Sequence, residues 1–102
     1  MKVRQVYTHG DTARFEVTFF RKTIEHEEME TEADELKISI YNEHTKEKVV
    51  DSDDMIHEQN GFYSYKWDTG SEPVGDYILR FDGERGGNKS SEERLIRVKS
   101  ML

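Results

Sequence analysis

The residues that could do acid–base or nucleophilic chemistry are four histidines, His9, His26, His44 and His57, and an abundance of carboxylates. A catalytic set needs a nucleophile, a base and an orienting group converging in one cleft. No carboxylate stands in an apolar stretch of the kind that raises its pKa, and Asp68 and Asp76 flank turns, where aspartate caps backbone amides. The histidines show no H-x-H, H-x3-H or H-E-x-x-H spacing, and cysteine is absent, so neither a zinc or copper site nor a disulfide is expected. Calcium takes about 6–8 oxygen ligands from a tight loop. Segments 51–54 (DSDD) and 25–35 (EHEEMETEADE) supply oxygens, but neither follows the D-x-D-x-D-G order. The expectation is a chain with no catalytic residues, no metal and no cofactor, in which both runs are solvated charged loops. Binding of calcium or of a basic protein by segment 25–35 stays open.

The charge balance narrows the partners. The 102 residues carry 22 acidic and 15 basic side chains, a formal net charge of −7. Each phosphate contact needs a Lys or Arg, so nucleic acid is not expected, and an anionic membrane surface is disfavoured in the same way. The surplus suits a protein whose copies repel one another in solution. The start at Met1 has no apolar stretch of signal-peptide type, and no run approaches the ~20 apolar residues that span a bilayer. The chain is accordingly expected to be a complete small gene product, without a signal peptide or transmembrane segment.

The elements that must position any site are strands. Hydrophobic side chains make up 33% of the chain, and they alternate with polar ones at period two. Residues 3–7 form a weak first strand, and Gly10-Asp11-Thr12 a turn. Segment 13–20 sets Phe15, Val17 and Phe19 on one face; 36–41 sets Leu36, Ile38 and Ile40 inward. Segment 48–51 is a short edge candidate, and 55–58 leads into Asn60-Gly61, a dipeptide that accepts the positive φ angles of a tight hairpin. Tyr63, Tyr65 and Trp67 then share a face, as do Tyr77, Leu79 and Phe81, and finally Ile96 and Val98 in 94–99. The expected core is Phe15, Val17, Ile38, Ile40, Tyr63, Tyr65, Trp67, Tyr77, Leu79, Phe81, Ile96 and Val98. Segment 25–35 packs seven carboxylates into eleven residues and reads as a loop, whose glutamate content also permits a turn or two of helix with Met29, Ala33 and Leu36 near one face; 82–93 (DGERGGNKSSEE) reads as a mobile hairpin loop. The whole chain, 1–102, is expected to be one all-β domain, a two-sheet antiparallel sandwich of about seven strands.

The stretch Gly61-Phe62-Tyr63-Ser64-Tyr65-Lys66-Trp67-Asp68-Thr69, followed by Pro73-Val74-Gly75-Asp76-Tyr77-Ile78-Leu79-Arg80-Phe81, carries a further pattern, G-x-Y-x-Y-x-W-D-T and then P-x-G-x-Y-x-L-x-F. It resembles immunoglobulin-like domains of phage and archaeal-virus proteins, of bacterial surface modules and of macroglobulin-type proteins. Gly10-Asp11-Thr12 leading into Phe15-Glu16-Val17 is similar to the opening of such domains, so the resemblance spans roughly residues 10–98. It implies an immunoglobulin-like sandwich with Trp67 at its centre and Tyr77 in the place of a corner tyrosine whose hydroxyl bonds a loop backbone. The chain departs from the pattern at 42–46 (NEHTK), which lacks the usual glycine, and in the acidity of 25–35.

Partner binding is expected to fall on outward aromatics. Alternation turns Phe20 and Phe62 outward on strands that are antiparallel neighbours in such a sandwich. Either the two rings stand together as the centre of an interface, or both tuck under the acidic loop as the end of the core. Tyr41, outward on the third strand, is the third candidate. The resemblance, the length and the missing export signal together imply a non-enzymatic structural or binding module. The leading expectation is a small virion-associated accessory protein, on the capsid, the head–tail joint or the tail, found in the virion or the host cytoplasm. Its partner is then a viral structural protein or another copy of itself, with homo-oligomers open. The alternatives are an extracellular adhesion or carbohydrate-binding module using Tyr7, Tyr41 and Phe62, and an acidic protein docking on a basic one.

Overall fold

The computed structural model describes residues 5–22, 28–30, 33–59 and 61–100, with the backbone alone at 20–22 and 28–30. Among the described residues ten strands follow one another: β1 (Gln5–Thr8), β2 (Thr12–Thr18), β3 (Phe20–Lys22), β4 (Glu28–Glu30), β5 (Glu35–Asn42), β6 (Lys48–Asp54), β7 (Ile56–Gln59), β8 (Phe62–Asp68), β9 (Gly75–Arg85) and β10 (Asn88–Lys99). A 3-10 turn, Thr69–Ser71, joins β8 to the approach of β9. The strands form a five-stranded sheet in the order β1-β10-β9-β5-β6, a three-stranded sheet β2-β8-β7, and a two-stranded ribbon of β3 and β4. The protein is therefore all-β and two-layered, but the larger sheet is mixed, because β1 runs parallel to β10. That corrects the antiparallel, seven-strand expectation: alternation tells which side chains face inward, not which strand a short first segment lies beside.

The chain passes between the two sheets where a residue permits it. Gly10, at φ 101°, turns β1 out of the larger sheet and into β2 of the smaller. The fully buried Thr69 fastens this crossing: its hydroxyl donates to the Asp11 carbonyl (2.6 Å) and accepts from the Gly10 amide (3.0 Å). Met55, buried, with its amide donating to the Leu36 carbonyl (3.1 Å), marks the second crossing, from β6 to β7. At the β5–β6 turn the missing glycine is replaced by Lys46 at φ 64°, while the Asn42 side-chain oxygen accepts from the amides of His44 and Thr45 (2.9 and 3.0 Å). Gly61, at φ 67°, opens the hairpin strand β8.

The expectation of a loop over 82–93 is overturned. β9 and β10 continue as a paired ribbon to Arg85 and Asn88, and only Gly86-Gly87 turn, both with positive φ (58° and 82°). Two consecutive residues in that region make the primed turn whose twist matches the strands it joins. Asp34 holds the tip, its carboxylate accepting from the Gly86 amide (2.8 Å). Polar and glycine-rich composition had hidden the strand, because the ladder here is held by backbone bonds with little side-chain burial. The segment 25–35 likewise is not all loop: β4 within it pairs with β3.

The core lies between the two sheets. Phe15, Val17, Ile38, Ile40, Tyr63, Trp67, Tyr77, Leu79, Phe81, Ile96 and Val98 are buried, joined by Ala13, Leu36 and Met55. Tyr65, expected among them, is a correction: it packs against the core half-buried, with its hydroxyl at the surface, donating to Asp53 (2.6 Å). Trp67 of the smaller sheet meets Tyr77 of the larger edge-on (centroids 5.1 Å apart), and Tyr7 meets Phe15 edge-on across the same gap (5.7 Å). At one open side, Arg94 lies over the Phe81 ring (4.9 Å) and donates to the Glu16 carbonyl on the β2 edge (3.0 Å), which occupies one of the groups an incoming strand would pair with.

Candidate functional site

The side chains that could do chemistry are spread over separate parts of the sandwich. His9 contacts the Glu72 carbonyl through Nε2 (2.9 Å), while the His57 ring stacks on Tyr63 (4.9 Å). His44 is exposed in the β5–β6 turn, and His26 lies outside the described residues. In the DSDD run each carboxylate is committed elsewhere: Asp51 to Lys48 (3.1 Å), Asp53 to the Tyr65 hydroxyl, Asp54 to Lys37 (3.2 Å). The Lys48 ammonium hydrogen-bonds Asp51 and holds its carboxyl below the usual carboxylate range. Among the described residues no three His, Asp or Glu converge as a metal ligand set. The larger part of 25–35 falls outside the described residues or is described in backbone alone, and with it the expectation of calcium or a basic partner there.

The three aromatics expected at a partner surface are not brought together. The strand expected to carry Phe20 ends at Thr18, which stands opposite Phe62; the strand is interrupted at Phe19, and Phe20 starts β3 opposite Glu30. The side chain of Phe20 is outside what the structure describes, and Phe62 is half-buried on β8. The break has a packing cause: the Phe19 amide donates to the Gly61 carbonyl (2.7 Å), and its ring lies against Gly83. Tyr41 stands on the other sheet. Tyr7 points inward onto Phe15, so Tyr7, Tyr41 and Phe62 share no platform on which a sugar could stack.

Tyr41 has different neighbours, and they make the candidate site. On the outer face of the five-stranded sheet Tyr41 (β5) stands opposite Ile78 (β9), and Ile78 opposite Leu95 (β10). The three lie in one row across three strands, spanning about 10 Å at the ordinary strand spacing. Leu95 is 40% exposed, Ile78 and Tyr41 are half-buried, and on β1 the 49%-exposed Val6 lies opposite Arg97, the next outward position after Leu95. Single exposed apolar residues are ordinary on a protein surface; a cross-strand row is not.

Charged pairs bound the row on both sides. On one side Arg97 donates to Asp76 (2.9 Å); on the other Glu93 stands opposite Arg80, whose guanidinium also bonds Asp82 (3.1 Å). Burial pushes the Asp82 carboxyl up, but hydrogen bonds from Ser91 and Arg80 together bring it below its ordinary value. Lys48 sits over the Tyr41 ring (5.3 Å) and closes the row at the β6 end. Ile78 and Leu95 were not among the expected binding residues. Their signal was present as a breach of alternation: Tyr77-Ile78-Leu79 and Leu95-Ile96 put apolar residues on both faces of a strand whose outward neighbours are charged. Comparison with protein-family models, with curated proteins and with solved structures returns no match.

Proposed function

We propose that this chain is a non-enzymatic interaction module, an immunoglobulin-like domain of a virion-associated accessory protein, which docks through the outer face of its five-stranded sheet. The observation that carries the docking surface is the half-exposed row Tyr41–Ile78–Leu95, side chains flanked by charged pairs on the outer face of the sheet. The immunoglobulin-like reading is supported by strand order: β10-β9-β5-β6 facing β2-β8-β7 corresponds to the larger and smaller sheets of a variable-type domain. It is supported again by the Tyr77 hydroxyl, which donates back to the Pro73 carbonyl (2.5 Å) near the start of its strand. The virion assignment rests on the resemblance of the 61–81 segment to phage and archaeal-virus modules.

Mass spectrometry of purified virus particles, made with wild-type chain or with Leu95→Lys, tests both parts. The expected result is wild-type chain at fixed copy number per particle and strong depletion of the variant, with melting temperatures alike. A chain absent from particles removes the virion assignment. Equal incorporation of the variant removes the face.

A further inference from the structure

We propose that the partner of this face is a second copy of the same chain, paired about a two-fold axis lying along the row Tyr41–Ile78–Leu95. This rests on the reading of the outer face as an interaction surface and names its occupant. The reason is the sign pattern in the sheet register. Along β10 the outward residues are Glu93, Leu95, Arg97, acid, apolar, base. Along β9, running the other way, they are Asp76, Ile78, Arg80, again acid, apolar, base. Arg97 and Asp76 therefore lie on one side of the row, and Glu93 and Arg80 on the other.

A rotation of 180° about the row lays one face on another. It sets Leu95 on the partner's Leu95 and Ile78 on the partner's Ile78, and it exchanges the two flanks. Arg97 then meets the partner's Glu93, and Asp76 meets the partner's Arg80, each charge facing its opposite. An isologous interface needs this kind of self-complementary patch. These four charges sum to zero, so the net charge of −7 resides elsewhere and does not oppose contact at the row itself. The footprint is small by the standard of stable interfaces, which bury about 1,200–2,000 Å² in total, so the dimer is expected to be reversible at micromolar concentrations or weaker.

Sedimentation equilibrium of the full chain tests this directly. The mass of wild-type protein is expected to rise from 12.1 kDa toward twice that with concentration. Leu95→Lys should weaken association at least about tenfold. Two double variants keep the pairing within each chain and reverse one flank: Arg97→Glu with Asp76→Arg, and Glu93→Arg with Arg80→Glu. Alone, each confronts like charges across the axis and should be monomeric; mixed in equal amounts, the two should associate as a heterodimer, which also shows that both are folded. A wild-type chain that stays monomeric up to 0.5 mM (about that concentration bounds any association of weight), a Leu95→Lys chain that still dimerises, or a mixture that stays monomeric while the wild type dimerises overturns the proposal. Particle incorporation is read separately with a different partner present, so a monomeric wild type leaves the docking face standing.

Discussion

Tyr77 joins two roles in one side chain. Its ring is fully buried against Trp67, and its hydroxyl closes the corner at Pro73. Burial, with the Glu72 carboxylate adding to it, raises the pKa of that hydroxyl, so it stays a donor well into alkaline conditions. Tyr77→Phe keeps the ring and leaves the Pro73 carbonyl without its partner. The expected cost is about 1–3 kcal/mol, read as a lower urea midpoint with unchanged slope. Tyr65 makes a pH-dependent contribution of known sign. Burial and then its bond to the Asp53 carboxylate push it up to about 12, from an ordinary value near 10. A group raised in the folded state contributes fully below its unfolded value and loses the contribution as pH climbs through the folded one. Stability of the wild type should therefore decline between pH 10 and about 12 more steeply than that of Tyr65→Phe, as followed by urea midpoints across that window. Both hydroxyl partners lie beyond the reach of alternation, which assigns a face to a ring but not a bond to its oxygen.

At the scale of elements, the strands were legible wherever one face is dry. The alternating runs holding Phe15, Ile38, Trp67 and Leu79 all became strands, since a period of two is what a half-buried pleat imposes. The β9–β10 ribbon beyond the core carries no such alternation because it buries little, and its two successive glycines mark a tight turn between paired strands. Gly83 shows how the ribbon is nevertheless tied to the sandwich. A Cβ at Gly83 would lie 2.6 Å from the Phe19 ring, which packs directly on its backbone. Gly83→Ala is expected to cost about 1–3 kcal/mol through this overpacking, and Phe19→Leu in the same chain should recover part of the loss, because the smaller side chain gives way. A thermal melt of the two variants decides it; an unaltered midpoint for Gly83→Ala would show that the ring moves freely.

For the molecule as a whole, rings from both sheets meet in the middle. Trp67 contacts Phe15 within its own sheet and Tyr77 across the gap (centroids 6.4 and 5.1 Å). Trp67→Ala should cost about 3–5 kcal/mol and shift near-UV circular dichroism and tryptophan-free thermal melts together, in a single transition. A core residue of this kind was determined by the sequence alone: alternating aromatics have only one way to leave water, which is to face another apolar layer. The same holds for the all-β class, and for the turns at Gly10 and Gly61, where backbone angles demand glycine. Tertiary structure alone decided which strands are neighbours. The parallel β1 beside β10 and the meeting of Tyr41, Ile78 and Leu95 both join residues far apart in the chain. Local periodicity carries no record of such pairings, since they are selected by how whole faces fit together after each strand has already been specified.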